Sequence, residues 1–150
     1  MTETTFTPRF AGYIERIRNG FAAQPFMGLI GARLSHISPG AVDLEITAMS
    51  ELKQQHGFFH GGVITSLADS AAGFAALSLF EEDDGVLTAE LKINFLAPAD
   101  GEKLIARGRV IKPGRTLTVC RGDVFSVEGE NEKLVASALL TMACRPGLKH

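Results

Sequence analysis

The chain has no tryptophan, one tyrosine and only two cysteines among its 150 residues. Cys120 and Cys144 are too few for a disulfide scaffold, and their spacing fits no zinc motif, so we expect two reduced strand residues without a catalytic role. Basic runs are missing too, because 15 Lys and Arg residues stand against 17 Asp and Glu residues. This near-neutral balance argues against nucleic acid as the main partner.

A recognisable targeting or membrane segment is also missing. The first ten residues, MTETTFTPRF, have no basic head followed by an apolar stretch, so no secretory signal is predicted. Residues 61–80 carry a single charge, but much of this stretch is Ala, Gly, Ser and Thr, and no Lys or Arg flanks it closely. We therefore predict a helix buried in protein, no membrane partner and a cytoplasmic location.

The length and the 45% hydrophobic content suit one domain with one core, so residues 1–150 are predicted to form a single domain, with residues 1–24 as a helical segment packed on it. Helical spacing, turn residues and period-two alternation then divide the chain. The predicted elements are a helix that starts near Thr7 and Pro8 and closes at Pro25, strands over 29–38 and 41–47, a helix over 63–80, and strands over 87–95, 103–111, 116–127 and 134–143.

Two patterns in this series carry the fold prediction. The segment 63–80 is apolar on nearly every side, so protein must surround it, and its small residues would let strands approach its axis closely. Residues 87–95 alternate strictly between apolar and polar, which predicts a regular half-buried strand, and a bulge is expected at Gly122. A curved antiparallel sheet of about six strands around the long central helix meets these demands. This α+β arrangement is the hotdog fold.

Asp69 is the only charged residue between His60 and Glu81, on a helix that otherwise belongs to the core. An unpaired buried carboxylate costs several kcal/mol or becomes protonated. One interpretation is that Asp69 meets a distant Arg or a loop backbone and only holds the shape. The other is that it faces a cleft as a general base or a nucleophile.

The triplet His60-Gly61-Gly62 stands where the same helix begins. Its glycines either form a plain turn or leave N–H groups uncovered at the positive helix end, where they can hold a carbonyl oxygen that gains charge. Gly61 lies eight residues before Asp69, about 12 Å along one helix, so a single copy can hardly supply both groups to one carbonyl. We therefore predict an obligate homodimer with two shared sites.

A metal site is not predicted. His56 and His60 are four residues apart, but Gly57 and Gly61 make an ordinary helix improbable there and no third ligand suggests itself. We expect the His60 ring to fix the loop through hydrogen bonds instead. The sequence also has no nucleophile elbow, P-loop or dinucleotide fingerprint.

The runs QQHGFFHGG at 54–62 and LADSA at 67–71 resemble the hotdog thioesterases of the phenylacetate-pathway (PaaI) type. The segments KINFLAPA at 92–99 and KPGRT at 112–116 are similar to the same family, and the match runs from about residue 25 to residue 143. The resemblance implies an enzyme that hydrolyses an acyl-CoA thioester without a metal or other cofactor, since coenzyme A is part of the substrate. It also implies homodimers, which often pair into tetramers.

The resemblance further implies roles for individual residues. Gly61 would donate its backbone N–H to the thioester oxygen, and Asp69 of the other protomer would activate water or attack the carbonyl. Thr88 would position that water, and Gln54 would take the place of an Asn that touches the thioester. The substrate-binding residues expected in addition are His60 and Gly62 of the triplet, Phe58 and Phe59 as lining of the acyl pocket, and Gly114, Arg115 and Thr116 near the CoA phosphates.

Two other functions stay open at this point. A hotdog protein could bind CoA or acyl-CoA without turnover, although binding alone does not need Asp69. A hotdog dehydratase or hydratase usually pairs a His with an acidic residue, and no His lies on the buried helix after His60. Aromatic, medium-chain and short branched acyl groups are all compatible with the sequence.

Overall fold

A computed structural model describes residues 5–149, so residues 1–4 of the predicted N-terminal segment and residue 150 of the predicted domain lie outside the described residues. Two helices come first, followed by two strands, a long helix and four more strands. The elements are α1 Tyr13–Ala22, α2 Pro25–Ile30, β1 Arg33–Ser38, β2 Ala41–Thr47, a 3₁₀ turn Ser50–Leu52, α3 Gly61–Leu77, β3 Asp84–Phe95, β4 Lys103–Lys112, β5 Leu117–Glu128 and β6 Asn131–Pro146.

The described strands form one six-stranded sheet in the order β1-β2-β4-β5-β6-β3, and every neighbouring pair is antiparallel. The sheet curves around α3, which contacts β2, β3, β4, β5 and β6. This is the predicted hotdog fold. β3 follows α3 in the chain but lies at the sheet edge beyond β6, which leaves one of its sides without a strand partner in the described chain.

Close contact between α3 and the sheet depends on two glycines that face each other. Gly108 of β4 pairs with Gly122 of β5. A Cβ at Gly108 would collide with the Ala71 carbonyl of α3, and a Cβ at Gly122 would lie 2.9 Å from the Ala68 oxygen. The predicted bulge at Gly122 is wrong, because this residue pairs regularly with Gly108 and Ala138 and serves the close approach of the helix instead.

The first helix starts later than predicted. α1 begins at Tyr13 after the N-cap residue Gly12, whereas Thr7 and Pro8 lie in chain without regular secondary structure. The Phe10 ring packs so closely on Gly12 that a Cβ there would lie 2.5 Å from its Cζ atom. Tertiary packing of Phe10 thus overrides the local start signal.

Pro25 does not simply close a helix, as the sequence indicated. It occupies the first turn of α2, a position that suits proline because its missing N–H has no intrahelical partner. Residues 29–30, predicted as strand, therefore end this second helix. The left-handed Gly31 (φ 73°) follows it, and β1 starts only at Arg33.

The central helix is shifted toward the N-terminus relative to the predicted range 63–80. α3 spans Gly61–Leu77, and ten of its 17 residues are buried. Within residues 5–149, no helix is both long and apolar enough to cross a bilayer. The segment that composition set apart is therefore the core helix of the domain.

The strict alternation expected along β3 breaks at one residue. Pairing with β6 is regular up to Thr88 and resumes at Glu90, so Ala89 is a bulge. The bulge reverses which side chains face α3, because one extra residue changes the phase of a period-two pattern. Thr88 consequently points to α3, and Leu87 lies on the outer face of the sheet with 52% of its surface exposed.

Both cysteines are strand residues with free thiols, as predicted. Burial raises the pKa of the Cys120 thiol to about 12. Burial, helped by a hydrogen bond from Cys144 Sγ to the Asp84 carboxylate, raises the pKa of Cys144 to about 11. Neither thiol is activated as a nucleophile, because the thiolate is the reactive form.

Candidate active site

Asp69 lies in the third turn of α3 and is held by Thr88. The Thr88 hydroxyl donates to Asp69 Oδ1 at 2.6 Å. Across the described part of the chain, no ion pair includes Asp69. The carboxylate therefore does not serve as a shape-holding partner of a distant Arg, and in the single chain it is half-buried rather than sealed in the core.

A cavity of about 440 Å³ opens beside this pair. Residues from α1, α3, β3 and the end of the chain line it. They are Gly20, Ala23, Gln24, Asp69, Ser70, Gly73, Phe74, Val86, Leu87, Thr88, Leu148 and Lys149. Asp69 thus faces a cleft, and a role as general base or nucleophile stays a prediction.

The start of α3 has an unusual hydrogen-bond pattern. His60 is the N-cap residue, and its Nδ1 accepts from the Gly62 N–H at 2.9 Å. Its carbonyl accepts from the N–H groups of Val63 and Ile64. The ring therefore fixes the loop through a hydrogen bond, as predicted. Among the residues that the structure describes, the Gly61 N–H has no acceptor, so an unpaired donor lies at the positive helix end.

Gly61 lies against the far end of β3. A Cβ on Gly61 would be 3.3 Å from Cζ of Phe95, the last residue of that strand. Thr88 holds Asp69 near the other end of the same strand. Because α3 is continuous between Gly61 and Asp69, the two groups are about 12 Å apart along its axis, as the sequence implied.

The loop before the triplet folds on itself. The Gln54 N–H donates to the Phe58 carbonyl, and the Gly57 N–H donates to the Gln54 carbonyl, both at 2.9 Å. Gly57 closes this turn in the left-handed region, with φ 87°. The Gln54 Oε1 atom accepts from the His56 N–H, so the amide binds its own loop in the single chain.

The two phenylalanines of this loop differ in burial. Phe59 is 3% exposed and belongs to the hydrophobic core, and its N–H donates to the Ala99 carbonyl. Phe58 is only half-buried. Neither ring lines the cavity beside Asp69. A role of this pair in the acyl pocket stays a prediction.

The turn Gly114-Arg115-Thr116 joins β4 to β5. Arg115 and Thr116 are exposed, and the Gly114 N–H donates to Thr118 Oγ1 at 3.3 Å. Strand pairing aligns the start of β5 with the residues just before Thr88, two strands away. The turn is thus at the same end of the sheet as the Asp69–Thr88 pair but outside their cavity.

Among the site residues predicted from sequence, the chain brings together Asp69 with Thr88, and His60 with Gly61 and Gly62. The sequence did not indicate the cavity wall that Gly20 of α1 forms with Ala23 and Gln24, the two residues between α1 and α2. Its one signal is a pair of small residues spaced by three on a helix. Between Thr5 and Lys149, no cluster of His, Cys, Asp and Glu could hold a metal ion.

A sheet wrapped around a central helix, with a cleft-facing carboxylate on that helix, defines a protein of the hotdog class. Residues 56–133 match the family model of the Thioesterase superfamily. A thioesterase family protein from Silicibacter pomeroyi has a similar crystal structure, with a TM-score of 0.89 and 43% identity over 91% of this chain and all of that one. The chain belongs to the thioesterase superfamily and is a thioester hydrolase.

Two more distant proteins are also similar. The Listeria monocytogenes 1,4-dihydroxy-2-naphthoyl-CoA hydrolase is 28% identical over 122 residues, which are 79% of this chain and 97% of that protein. The E. coli PaaI protein from the phenylacetic acid degradation operon has a TM-score of 0.81 at 20% identity, over 90% of this chain and 94% of that one. The second likeness shows the fold alone, and it agrees with the resemblance found in the sequence.

Proposed function

We propose that the chain hydrolyses acyl-CoA thioesters to free CoA and a carboxylic acid, with Asp69 as the general base or nucleophile. The observation that carries this proposal is a cleft-facing carboxylate on an otherwise apolar helix, held by a 2.6 Å hydrogen bond from Thr88. A hydrogen bond on one oxygen orients the group and leaves its second oxygen free to react. The proposed reaction uses no cofactor, since CoA is part of the substrate.

In the general-base form of the reaction, Asp69 removes a proton from a water molecule while the water oxygen attacks the thioester carbonyl carbon. The carbonyl oxygen takes up the negative charge. When the C–S bond breaks, the CoA sulfur leaves with the electron pair and accepts the proton. In the nucleophilic form, a carboxylate oxygen of Asp69 attacks the same carbon, the C–S bond breaks and CoA leaves as the thiolate. Water then hydrolyses the resulting mixed anhydride to the carboxylic acid and Asp69, and the proton released in this step converts the CoA thiolate to the thiol.

The charge on the carbonyl oxygen requires a donor, and we assign this role to the Gly61 N–H. It is the backbone donor at the start of α3 that the His60 cap leaves without an acceptor among residues 5–149. Preorganised N–H groups that point at developing negative charge are among the strongest contributions to acyl transfer. The 12 Å axial separation from Asp69 means that the donor must come from a second copy.

The geometry of β3 supports such a homodimer. Its outer edge is unpaired within the described residues, and unpaired strand edges are templates for pairing. Two β3 strands related by a twofold axis run antiparallel, so the Phe95 end of one lies opposite the Thr88 end of the other. Because Phe95 contacts Gly61, this pairing carries the partner's Gly61 toward Asp69.

The outer face of the sheet supports the further pairing of dimers into a tetramer. Leu87 of β3 and Leu117 of β5 flank Ala143 of β6 on this face, and both are 52% exposed. Leu139 of β6 is 51% exposed on the same side. A row of exposed leucines on a sheet is typical of a surface that another subunit covers.

The other predicted site residues belong to the same proposal. The exposed Arg115 cation in its turn with Gly114 and Thr116 would hold CoA phosphates. Gln54 and Phe58 would reach the thioester and acyl group from their loop. With two free thiols in the chain, we place the enzyme in the cytoplasm, where thiols stay reduced.

The test is thiol release from a panel of acyl-CoAs by the wild type and the Asp69→Asn variant, which keeps the size and removes the charge. We expect a loss of about a hundredfold or more, the scale of a missing catalytic base. Asp100→Asn is the matched control, because it removes a surface carboxylate that pairs only with Lys133. Binding of acyl-CoA without any thiol release by the wild type would identify a non-catalytic binder and overturn the proposal.

A further inference from the structure

The cavity beside Asp69 lies between two helices. On the α3 side it is lined by residues that follow the carboxylate, including Ser70 and Gly73. On the opposite side it is lined by Gly20 of α1 and by Ala23 and Gln24, which follow that helix. The N-terminal helix therefore borders the space into which the reactive carboxylate faces.

Gly73 marks open space in an otherwise buried region. It is itself buried, yet a Cβ added to it would meet no described atom within 4 Å apart from its own neighbours and turns of α3. Protein interiors are close-packed, so such a gap next to a buried backbone is unusual. Gly73 follows Asp69 by four residues and shares its helix face. The gap thus continues from the carboxylate along α3.

Helix α1 is attached firmly enough to act as a wall. The Arg16 guanidinium donates to the carbonyl of Leu77, the last residue of α3, at 2.6 Å, and to those of Phe80 and Glu82, in the segment after it, at 3.1 Å. Burial lowers the pKa of this guanidinium, which reflects how far it is withdrawn from water. The cation thereby satisfies the last carbonyl at the negative end of the central helix and holds the segment that follows it.

Two apolar contacts complete this attachment. Ile17 of α1 is fully buried in the hydrophobic core. One turn later, the Phe21 ring meets Phe74 of α3 edge to face, with ring centroids 5.9 Å apart. Phe74 also lines the cavity, so the contact joins the two helices at the cavity itself.

We propose that α1 forms the outer wall of the acyl pocket, and that the acyl group lies between α1, Gly73 and Val86. The inference rests on the thioesterase function proposed above and names its substrate class. A cavity of about 440 Å³ falls in the range that holds drug-sized ligands, so the pocket takes a bulky, largely apolar acyl group rather than acetyl.

The experiment fills the pocket from each side in turn. Gly73→Val adds methyl groups from α3, Gly73→Ala is its milder form, and Ala23→Leu adds bulk from α1. Gly28→Val on α2 is the control, since a Cβ there meets no described atom within 4 Å and the residue does not line the cavity. The value of kcat/KM is measured with acetyl-CoA, hexanoyl-CoA and phenylacetyl-CoA.

We expect the wild type to prefer the two bulky substrates. Ala23→Leu and Gly73→Val should each lower kcat/KM for these substrates about tenfold or more, mainly through KM, because one methylene in a hydrophobic pocket changes discrimination by about 10- to 200-fold. Acetyl-CoA hydrolysis should change less than about threefold, and Gly28→Val should resemble the wild type. Normal hexanoyl-CoA kinetics in a folded Ala23→Leu protein, or an equal loss with all three substrates, would overturn the proposal.

A binding measurement separates this inference from the proposed function. Titration calorimetry compares hexanoyl-CoA with free CoA in the Asp69→Asn background, with and without Ala23→Leu. Tighter binding of hexanoyl-CoA that disappears with Ala23→Leu supports the pocket, even if the wild type shows no turnover and the function fails. Equal affinity for both ligands without Ala23→Leu would refute the pocket, whatever the wild type hydrolyses.

Discussion

Gly61 permits a test in which a single N–H group is removed and little else changes. Gly61 is the first residue of α3, where proline is favoured because its N–H has no intrahelical partner. The preceding His60 has φ −63° and ψ 137°, an extended conformation that suits a residue before proline. Gly61→Pro should therefore leave the helix in place and delete only the proposed oxyanion donor.

The expected magnitude follows from comparison with Gly61→Ala. Both variants place a Cβ 3.3 Å from Phe95 Cζ, so both require the same small movement of that exposed ring. Only the proline variant lacks the N–H. Loss of one oxyanion donor costs about 10²- to 10³-fold in kcat, or about 2.7–4 kcal/mol of transition-state stabilisation. We expect this factor between the two variants.

The assay is kcat from thiol release, with circular dichroism to verify that both variants fold. Equal kcat values for the proline and alanine variants would refute the assigned role of the Gly61 N–H. Mixing Gly61→Pro with Asp69→Asn then tests whether sites are shared. After full subunit exchange, each mixed dimer has one intact site, so about a quarter of wild-type activity should return in a twofold-symmetric dimer. No recovery after verified exchange would contradict shared sites.

Three further outcomes are expected. Thr88→Val should lower kcat about 10- to 100-fold with little change in KM, because a hydrogen bond to a charged group contributes about 1.5–3 kcal/mol. Thr88→Ser keeps the hydroxyl and should stay near wild type. Equal kcat values for the two variants would contradict the positioning role of Thr88. Arg16→Ala should lower the free energy of unfolding in urea by about 2–4 kcal/mol, since the last carbonyl of α3 and two carbonyls of the segment after it lose a charged donor, and Arg16→Lys should restore part of it. Burial raises the pKa of Cys120 from 9.0 to about 12, so its thiol should resist thiol reagents at pH 8 until the protein unfolds. The free energy of unfolding should fall above pH 9, because the thiol of the unfolded chain ionises first. Rapid labelling of the folded protein would contradict this.

Patterns that depend on local chemistry were enough for much of the fold. β2 was predicted over 41–47 and lies at Ala41–Thr47. α3 was identified because a helix that is apolar all round must be enclosed. Pro25 was misread because proline both ends one helix and begins the next. The Ala89 bulge has no sequence signature. Apolar and polar residues alternate without a break along 87–95, whereas the bulge changes which of them face α3.

In the candidate site, too, local patterns predicted some residues and missed those that depend on tertiary packing. Asp69 could be found from sequence because one charge stands alone among apolar residues, and its cleft-facing position agrees with that interpretation. Thr88 was named only through the family resemblance, since a threonine on a strand is an ordinary residue. The wall formed by Gly20 and Ala23 depends on how α1 docks on α3, which no local pattern determines.

The paired glycines Gly108 and Gly122 have a consequence for the distant chemistry. Gly122 lies beneath Ala68, the residue immediately before Asp69, so the depth of α3 in the sheet is set where two side chains are missing. A single methyl group there would lift the helix and carry the carboxylate away from the Thr88 hydroxyl, although it would touch neither. The position of the Asp69 carboxylate is thus controlled from the opposite side of the helix, by two buried residues that do not touch it.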